Sequence, residues 1–264
     1  MAIEIFNRQE KKYMLDEQTY RTLIGLIGER MDSDEHSREG GFYSICNIYY
    51  DTADDRLIRK SIDKPVYKEK LRLRTYGTPD SQSEAFIEIK KKYRDVVNKR
   101  RIVLPLEQAK AYLDRGEAPS CAGINAQILR ELDYFTDFYR LMPKVYIAYD
   151  RRAYFDREDE GFRVTFDTNI RSRRTDLNLE SGDCGEQLLE PGRWIMEVKI
   201  SNAMPRWFGS ILSKLKLYPV SFSKYGTEYC RYIENNLRKG EKAICLNQSS
   251  TQPTQPYHPV PQCL

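Results

Sequence analysis

The sequence of 264 residues predicts an α+β protein built on a large antiparallel sheet or barrel. Three observations carry this reading. At least seven segments alternate with the period of two that sends successive side chains to opposite faces of a strand. Most are joined by short turn-rich connections such as Gly77-Thr78-Pro79-Asp80, so they pair as hairpins rather than through the crossovers of a parallel sheet. Helical periodicity is inserted between groups of strands.

Residues 3–13 read as the first strand, and Asp16 as the N-cap of a helix reaching residue 30. Residues 32–41 are polar and end in glycine, hence a loop. Residues 42–51, rich in β-branched and aromatic side chains, form a strand, and a short helix over 54–62 ends before Pro65. Residues 67–76 make a strand closed by the turn, and 84–93 and 96–104 follow as a hairpin. Helical patterns occupy 107–114 and 123–140. Strands resume at 144–155, 162–168 and 193–200, separated by an acidic turn at 156–161 and a glycine-containing loop at 182–192. Residues 205–217 are helical, with Trp207, Ile211, Leu212 and Leu215 on one face, and so are 225–238. From Leu246 the chain is Gln, Ser, Thr and Pro. The expected organisation is one domain over 1–240 and a disordered tail over 246–264.

Composition removes several classes of function. A hydrophobic content of 40%, with 12% aromatic, is too high for a disordered chain despite 31% charged residues. The N-terminus lacks a basic, then apolar, leader, and no apolar run reaches the 18 residues or so of a membrane span. Six scattered cysteines without a CxxC pair read as reduced cytosolic thiols rather than a zinc site or disulfide framework. With His36 and His258 the only histidines, both in polar or Pro-rich surroundings, imidazole chemistry is disfavoured. There is no GxxxxGK[ST] loop and no GxGxxG turn for a nucleotide. Trp194 and Trp207 read as packing residues. Catalysis, if any, falls to carboxylates, Lys, Arg and a bound ion.

The net charge of +4, from 43 Lys and Arg against 39 Asp and Glu, conceals an uneven distribution. Residues 59–101 hold fourteen basic and six acidic side chains, an excess of eight positive charges. Strand alternation places them. Arg8, Glu10 and Lys12 share one face, as do Lys68, Lys70, Arg72 and Arg74. Glu88 pairs in this way with Lys90, Lys99 with Arg101, Tyr149 with Arg151, Arg163 with Asp167, and Glu197 with Lys199. A solvated face is the ordinary home of such residues. Solvated faces, however, mix Thr, Ser and Gln with both signs of charge, whereas here bases recur with a few carboxylates. The pattern suits a barrel turned inside out, apolar outward against helices and charged inward around a lumen. Like charges ~6 Å apart repel by roughly 3 kcal/mol at an effective dielectric of 20, so about a dozen cations require anions. A polyanion is implied, and Glu10, Glu88 and Glu197 are hard oxygen ligands suited to Mg²⁺ or Mn²⁺.

Seven motifs in order resemble one known family. They are Arg8-Gln9-Glu10-Lys11-Lys12-Tyr13, Lys70-Leu71-Arg72-Leu73-Arg74-Thr75-Tyr76-Gly77, Glu88-Ile89-Lys90, Tyr149-Asp150-Arg151, Arg163-Val164-Thr165-Phe166-Asp167, Met196-Glu197-Val198-Lys199 and Ser223-Lys224-Tyr225. From about residue 3 to 235 the chain resembles the catalytic domain of the vacuolar transporter chaperone (VTC) polyphosphate polymerases, which are triphosphate tunnel metalloenzymes. The resemblance implies an antiparallel eight-stranded β-barrel tunnel with a charged lumen and helices packed outside. It also implies transfer of the γ-phosphate of ATP onto inorganic polyphosphate with Mn²⁺ or Mg²⁺ as cofactor. Carried over by motif, Arg72, Arg74, Lys90 and Lys199 are catalytic candidates. Arg8, Lys12, Lys99, Arg151, Arg163 and Lys224 are phosphate-binding candidates, with Lys68, Lys70 and Arg101 as a second tier on the same faces. Glu197 is the principal expected metal ligand and Glu10 the weaker one.

Two departures qualify the match. The wider superfamily often opens with Glu-x-Glu-x-Lys, and here the first Glu is replaced by Arg8, which favours the polymerase branch. The eukaryotic proteins' phosphate-sensing domain and membrane helices have no counterpart, so a cytoplasmic enzyme acting on ATP and inorganic polyphosphate or phosphate, without membrane insertion, is expected. A tripolyphosphatase or nucleoside triphosphatase would use the same site with water as acceptor, and a nucleotide cyclase is a third enzymatic reading. The non-enzymatic readings are a polyphosphate or inositol-phosphate sensor and a nucleic-acid binder. The bases near Tyr13, Tyr67, Tyr76 and Tyr93 imitate a nucleic-acid face, but carboxylates set among them suit a metal better, so no nucleic-acid partner is expected. Ser223-Lys224-Tyr225 also reads as a helix cap.

Overall fold

A computed structural model describes residues 9–34, 37, 41–94, 96–120, 123–201 and 203–247, with side chains through residue 238. The elements are β1 (Gln9–Asp16), α1 (Glu17–Ile27), β2 (Met31–Ser33), β3 (Tyr43–Asp51), α2 (Arg56–Ile62), β4 (Tyr67–Tyr76), β5 (Glu84–Tyr93) and β6 (Val96–Pro105). They continue as α3 (Leu106–Arg115), α4 (Ala126–Tyr139), β7 (Met142–Asp156), β8 (Arg163–Arg173), β9 (Glu186–Gln187), β10 (Arg193–Ile200), α5 (Arg206–Lys214) and α6 (Lys224–Asn247). All ladders are antiparallel, and the main path runs β1-β10-β8-β7-β3-β4-β5-β6, with β2 added to β7 and β9 to β8. The tail expected over 246–264 lies, from residue 248, outside the described residues.

Register decides which side chains share a face. Lys12 is opposite Glu197, Glu197 opposite Thr165, and Arg151 opposite Asp167. Asn47 is opposite both Ile147 and Arg74, Arg72 opposite Glu88, and Glu88 opposite Arg101. These form the inner face. Their neighbours in sequence form the outer one, where Leu71, Leu73, Ile87, Ile89, Ile102 and Leu104 pack against Leu106, Ala109 and Tyr112 of α3 and Leu132 and Phe135 of α4. Farther along, Tyr13, Leu15, Val164, Phe166, Met196 and Val198 are covered by Tyr20, Leu23 and Ile27 of α1 and by Phe208 and Leu212 of α5. In α1 those three residues recur at the i, i+3, i+7 spacing of one helical stripe. The Asp16 carboxylate starts that helix by accepting the Thr19 N–H at 2.7 Å. Trp194 stacks on Tyr20 with centroids 3.6 Å apart, and Trp207 meets Phe162 edge to face.

The expected closed barrel is not seen among the described residues, where no ladder joins β1 to β6. The sheet nevertheless curls, because Glu10 on β1 and Lys90 on β5, six places apart in strand order, meet at 3.6 Å. The margin of β1 is engaged otherwise: the Lys12 carbonyl accepts the N–H of Val220 at 2.7 Å, from the segment leading into α6. Nor do all helices pack outside. Tyr225, in the first turn of α6, lies on the inner side among Ile45, Tyr49, Val145, Ile147, Tyr149 and Ile195. One end of the inner face is therefore apolar, and α6 covers it.

Two strands and one extension escape sequence alternation. β2 lies in the segment read as loop, and β9 has two residues; neither is long enough to show a period. β8 runs to Arg173 instead of ending at 168 because it bulges: between Asp150↔Thr168 and Ala148↔Arg171 it carries one extra residue. Asn169, at φ 49°, takes the left-handed conformation that asparagine tolerates. The bulge lets Asp167 and Ile170, three apart, both belong to the inner side. No described helix is long and apolar enough to cross a membrane.

Leu71 has 0% exposure at the centre of the outer core. Leu71→Ala is expected to lower unfolding stability by about 2–5 kcal/mol, read by urea denaturation.

Candidate functional site

One half of the inner face is organised around Glu88, whose side chain is 2% exposed. Arg72 Nε approaches its Oε2 at 2.6 Å and Arg74 Nε at 3.6 Å, while Lys99 pairs with Oε1. Burial alone raises the pKa of this carboxyl; Arg72, then Arg74 and Lys99, more than reverse that and hold it well below the usual carboxylate range. Glu88 is thus ringed by cations, its Oε2 facing the two guanidinium groups and its Oε1 facing Lys99. Arg74 is fixed further by Asn47 Oδ1 at 3.0 Å and the Tyr149 hydroxyl at 3.4 Å, and Arg72 by the Tyr49 hydroxyl at 3.4 Å.

The other half is organised around Asp167 and Glu197. Asp167 has 0% exposure and accepts two bonds from Arg151, Nε to Oδ1 at 2.6 Å and Nη2 to Oδ2 at 2.7 Å. Lys224 donates to the same Oδ2. Glu197 meets Lys12 at 3.3 Å and Lys224 at 3.7 Å through Oε1, and Arg151 at 3.6 Å through Oε2. Burial opposes ionisation of Glu197, but Lys12, Lys224 and Arg151 outweigh it and keep the carboxylate charged. The Tyr149 ring lies beside both cations, 5.2 Å from Arg151 Cζ and 4.2 Å from Lys224 Nζ.

Between the halves lie cations with too few anions. Lys12 and Lys90 share Glu10, at 3.5 and 3.6 Å. Lys70 and Lys199 have no carboxylate within ion-pair distance among the described residues; Lys70 donates instead to Ser223 Oγ at 3.0 Å. Burial, then the ammonium groups of Lys12 and Lys90, push Lys70 down to about 7. Burial, then Arg151, push Lys199 down to about 8. Lys68 is lowered too, by burial and then by Lys92 and Lys90.

Most sequence-predicted site residues therefore meet on one face. Arg72, Arg74, Lys90, Lys99, Lys12, Arg151, Lys199, Lys224, Glu10 and Glu197 are all within the network just described. Arg101 shares the face but is exposed, its guanidinium 5.1 Å from the Phe86 ring. Arg163 is a third exposed and turned to Asp34 at 3.2 Å. Arg8 lies outside the described residues. Missed were Asp167, Asn47, Tyr49 and Ser223. Asp167 was visible in the alternation beside Arg163, and the signal for its place was the buried Arg151 directly across the ladder. Ser223 is both cap and site neighbour: its Oγ accepts the Gly226 N–H at 3.2 Å as well as the Lys70 proton.

A family model described as the VTC domain matches residues 7–233. The chain belongs to the VTC-domain family. Solved structures are similar at low identity. A candidate adenylate cyclase from Bacillus halodurans has TM-score 0.49 and 18% identity, over 82% of this chain and 95% of that one. A candidate adenylyl cyclase from Hippeastrum with dominant triphosphatase activity has TM-score 0.46 and 12% identity, over 83% and 93%. The Mimivirus capping enzyme triphosphatase has TM-score 0.34 and 10% identity, over 80% and 89%. No curated relative matches the sequence.

This VTC domain offers a divalent ion a partial shell. Glu10 and Glu197 present hard oxygens from adjacent strands, Glu10 being opposite Lys199 and Glu197 opposite Lys12. Ions such as Mg²⁺ take one or two carboxylates and complete their shell with phosphate oxygens and water, so the pair fits. Among the described residues no group of three or more His, Cys, Asp or Glu is arranged to hold an ion.

The lowered pKa of Lys70 has a definite sign in stability. Below pH 7 Lys70 is protonated in both folded and unfolded chains. Between about 7 and 10.5 the unfolded chain retains the proton that the fold has lost, so its contribution to stability rises with pH. In phosphate-free buffer the stability of the wild type relative to Lys70→Met should therefore increase from pH 7 to 9.5. A flat or falling difference in thermal melts would refute it.

Proposed function

We propose that this protein is a divalent-metal-dependent phosphoryl-transfer enzyme, moving the γ-phosphate of ATP onto the end of an inorganic polyphosphate chain. The observation that carries the reading is the cation excess of the inner face, with Lys70 and Lys199 half-buried, lowered in pKa and lacking a carboxylate partner among the described residues. A neutral or cationic ligand would leave that repulsion in place; a chain of phosphates relieves it.

In this reading Arg72, Arg74, Lys90 and Lys199 meet the transferring phosphoryl group. The two arginines arrive pre-oriented by Glu88, so little reorganisation accompanies charge development. Lys12, Lys99, Arg101, Arg151, Arg163 and Lys224, with Arg8, hold the remaining phosphates of nucleotide and polymer. Glu197, assisted by Glu10, would hold Mn²⁺ or Mg²⁺, which supplies charge neutralisation and alignment of the phosphate oxygens. The acceptor, a terminal phosphate, is already ionised, so no side chain needs to act as base. Its oxygen forms a bond to the γ-phosphorus as the bond to the β-phosphate oxygen breaks, leaving ADP and a polymer longer by one phosphate.

Incubation with ATP and Mn²⁺ should release ADP and produce polymer resolvable on a gel. Arg72→Ala or Glu197→Ala should reduce turnover by about a hundredfold or more. Unchanged turnover in both variants would sink the assignments, and free phosphate in place of polymer would make water the acceptor.

A further inference from the structure

Asp167 is an anion at the centre of a site whose other features favour anions. It is completely buried, and its two oxygens accept three bonds, two from Arg151 and one from Lys224. Fixed negative charge there opposes the arrival of phosphate. What it contributes is geometry: the fork of Arg151 is planar, so paired bonds at 2.6 and 2.7 Å set the tilt of its whole guanidinium. The same carboxylate holds the ammonium of Lys224 beside it, where the two cations would otherwise repel. The position itself is built: Asp167 ends the inward run of β8 just before the Asn169 bulge, directly across from Arg151.

We propose that Asp167 is a positioning residue that fixes Arg151 and Lys224 for phosphoryl transfer and does so at the expense of affinity for the polyanion. The inference rests on the phosphoryl-transfer reading of the site. It distinguishes Asp167, whose two oxygens are taken up by bonds of 2.6 and 2.7 Å from Arg151, from the metal-ligand candidate Glu197, whose contacts with cations are looser at 3.3 to 3.7 Å. It also gives the two halves of the site a common construction, one buried carboxylate beneath a pair of cations, with Glu88 serving Arg72 and Arg74 in the same manner.

The test separates geometry from binding. Asp167→Asn keeps the shape and removes the charge and the second acceptor. Its kcat for ADP release from ATP should fall about ten- to a hundredfold, the scale on which misplaced groups act. Its Kd for tripolyphosphate, by calorimetry, should tighten severalfold, and tripolyphosphate should accordingly raise its Tm by more than it raises that of the wild type. Arg151→Lys, which keeps the charge but cannot fork, should also lose kcat, and adding Asp167→Asn to it should cost little more.

A kcat within twofold of wild type, a loss matched by weaker tripolyphosphate binding, or additive losses in the double variant would each overturn the role of Asp167 alone. If Asp167→Asn does not fold, an Arg151→Lys variant retaining kcat within twofold overturns it as well. A wild-type protein that neither binds tripolyphosphate nor releases ADP would overturn the phosphoryl-transfer reading, and this inference with it.

Discussion

The structure is governed by repulsion among cations confined to one side of a curled sheet. Water screens such charges when they are exposed, but several of these are buried or half-buried, and a lower effective dielectric makes each contact matter more. The fold answers in two ways. It places Glu88 and Asp167 beneath pairs of cations, and it lets remaining ammonium groups lose part of their affinity for protons, as Lys70 and Lys199 do. Neither answer neutralises the face. The cation excess left on this face is what the proposed phosphate ligand would relieve.

That constraint explains the distribution of apolar residues. An ordinary sheet protein keeps its core between layers and its charges on the solvent side. Here the core is split into two outer clusters, one under α3 and α4 and the other under α1 and α5, with a third at the apolar end of the inner face. The third cluster, closed by Tyr225 and the start of α6, gives the charged region a floor. Asp51 ties that floor to the rim by accepting the Tyr225 hydroxyl at 3.1 Å and the backbone N–H groups of Leu57 and Ile58 in α2.

The charged face was legible in the sequence because a strand encodes it in parity alone. Lys70, Arg72 and Arg74 need no knowledge of their partners to be placed together, and neither do Glu197 and Lys199. What parity cannot express was lost. The bulge at Asn169 changes phase, so Asp167 and Ile170 share a side that no period of two would assign to both. Closure was suggested by alternation and implied by the family resemblance, but no residue pattern encodes it, and the Lys12–Val220 backbone bond, between positions distant in sequence, leaves no local mark. The inward placement of Tyr225 was hidden for a related reason. Its helix is amphipathic in either orientation, and only the apolar inner residues Ile45, Val145 and Ile147, contributed by other elements, decide which way it faces. Asp167 was visible but unassigned, since a carboxylate's meaning depends on which cations surround it.

The meeting of Glu10 with Lys90 joins the first strand of the order to the last but one through side chains instead of peptide groups. A cylinder sealed by a peptide ladder can be threaded only through its mouths, so a long polymer must find an end. An ion pair of ammonium and carboxylate is a weaker closure: ionic strength loosens it, and a competing anion can part it. Among the described residues, then, what brings β1 against β5 is a contact that ions can weaken, and a peptide ladder is not weakened in that way.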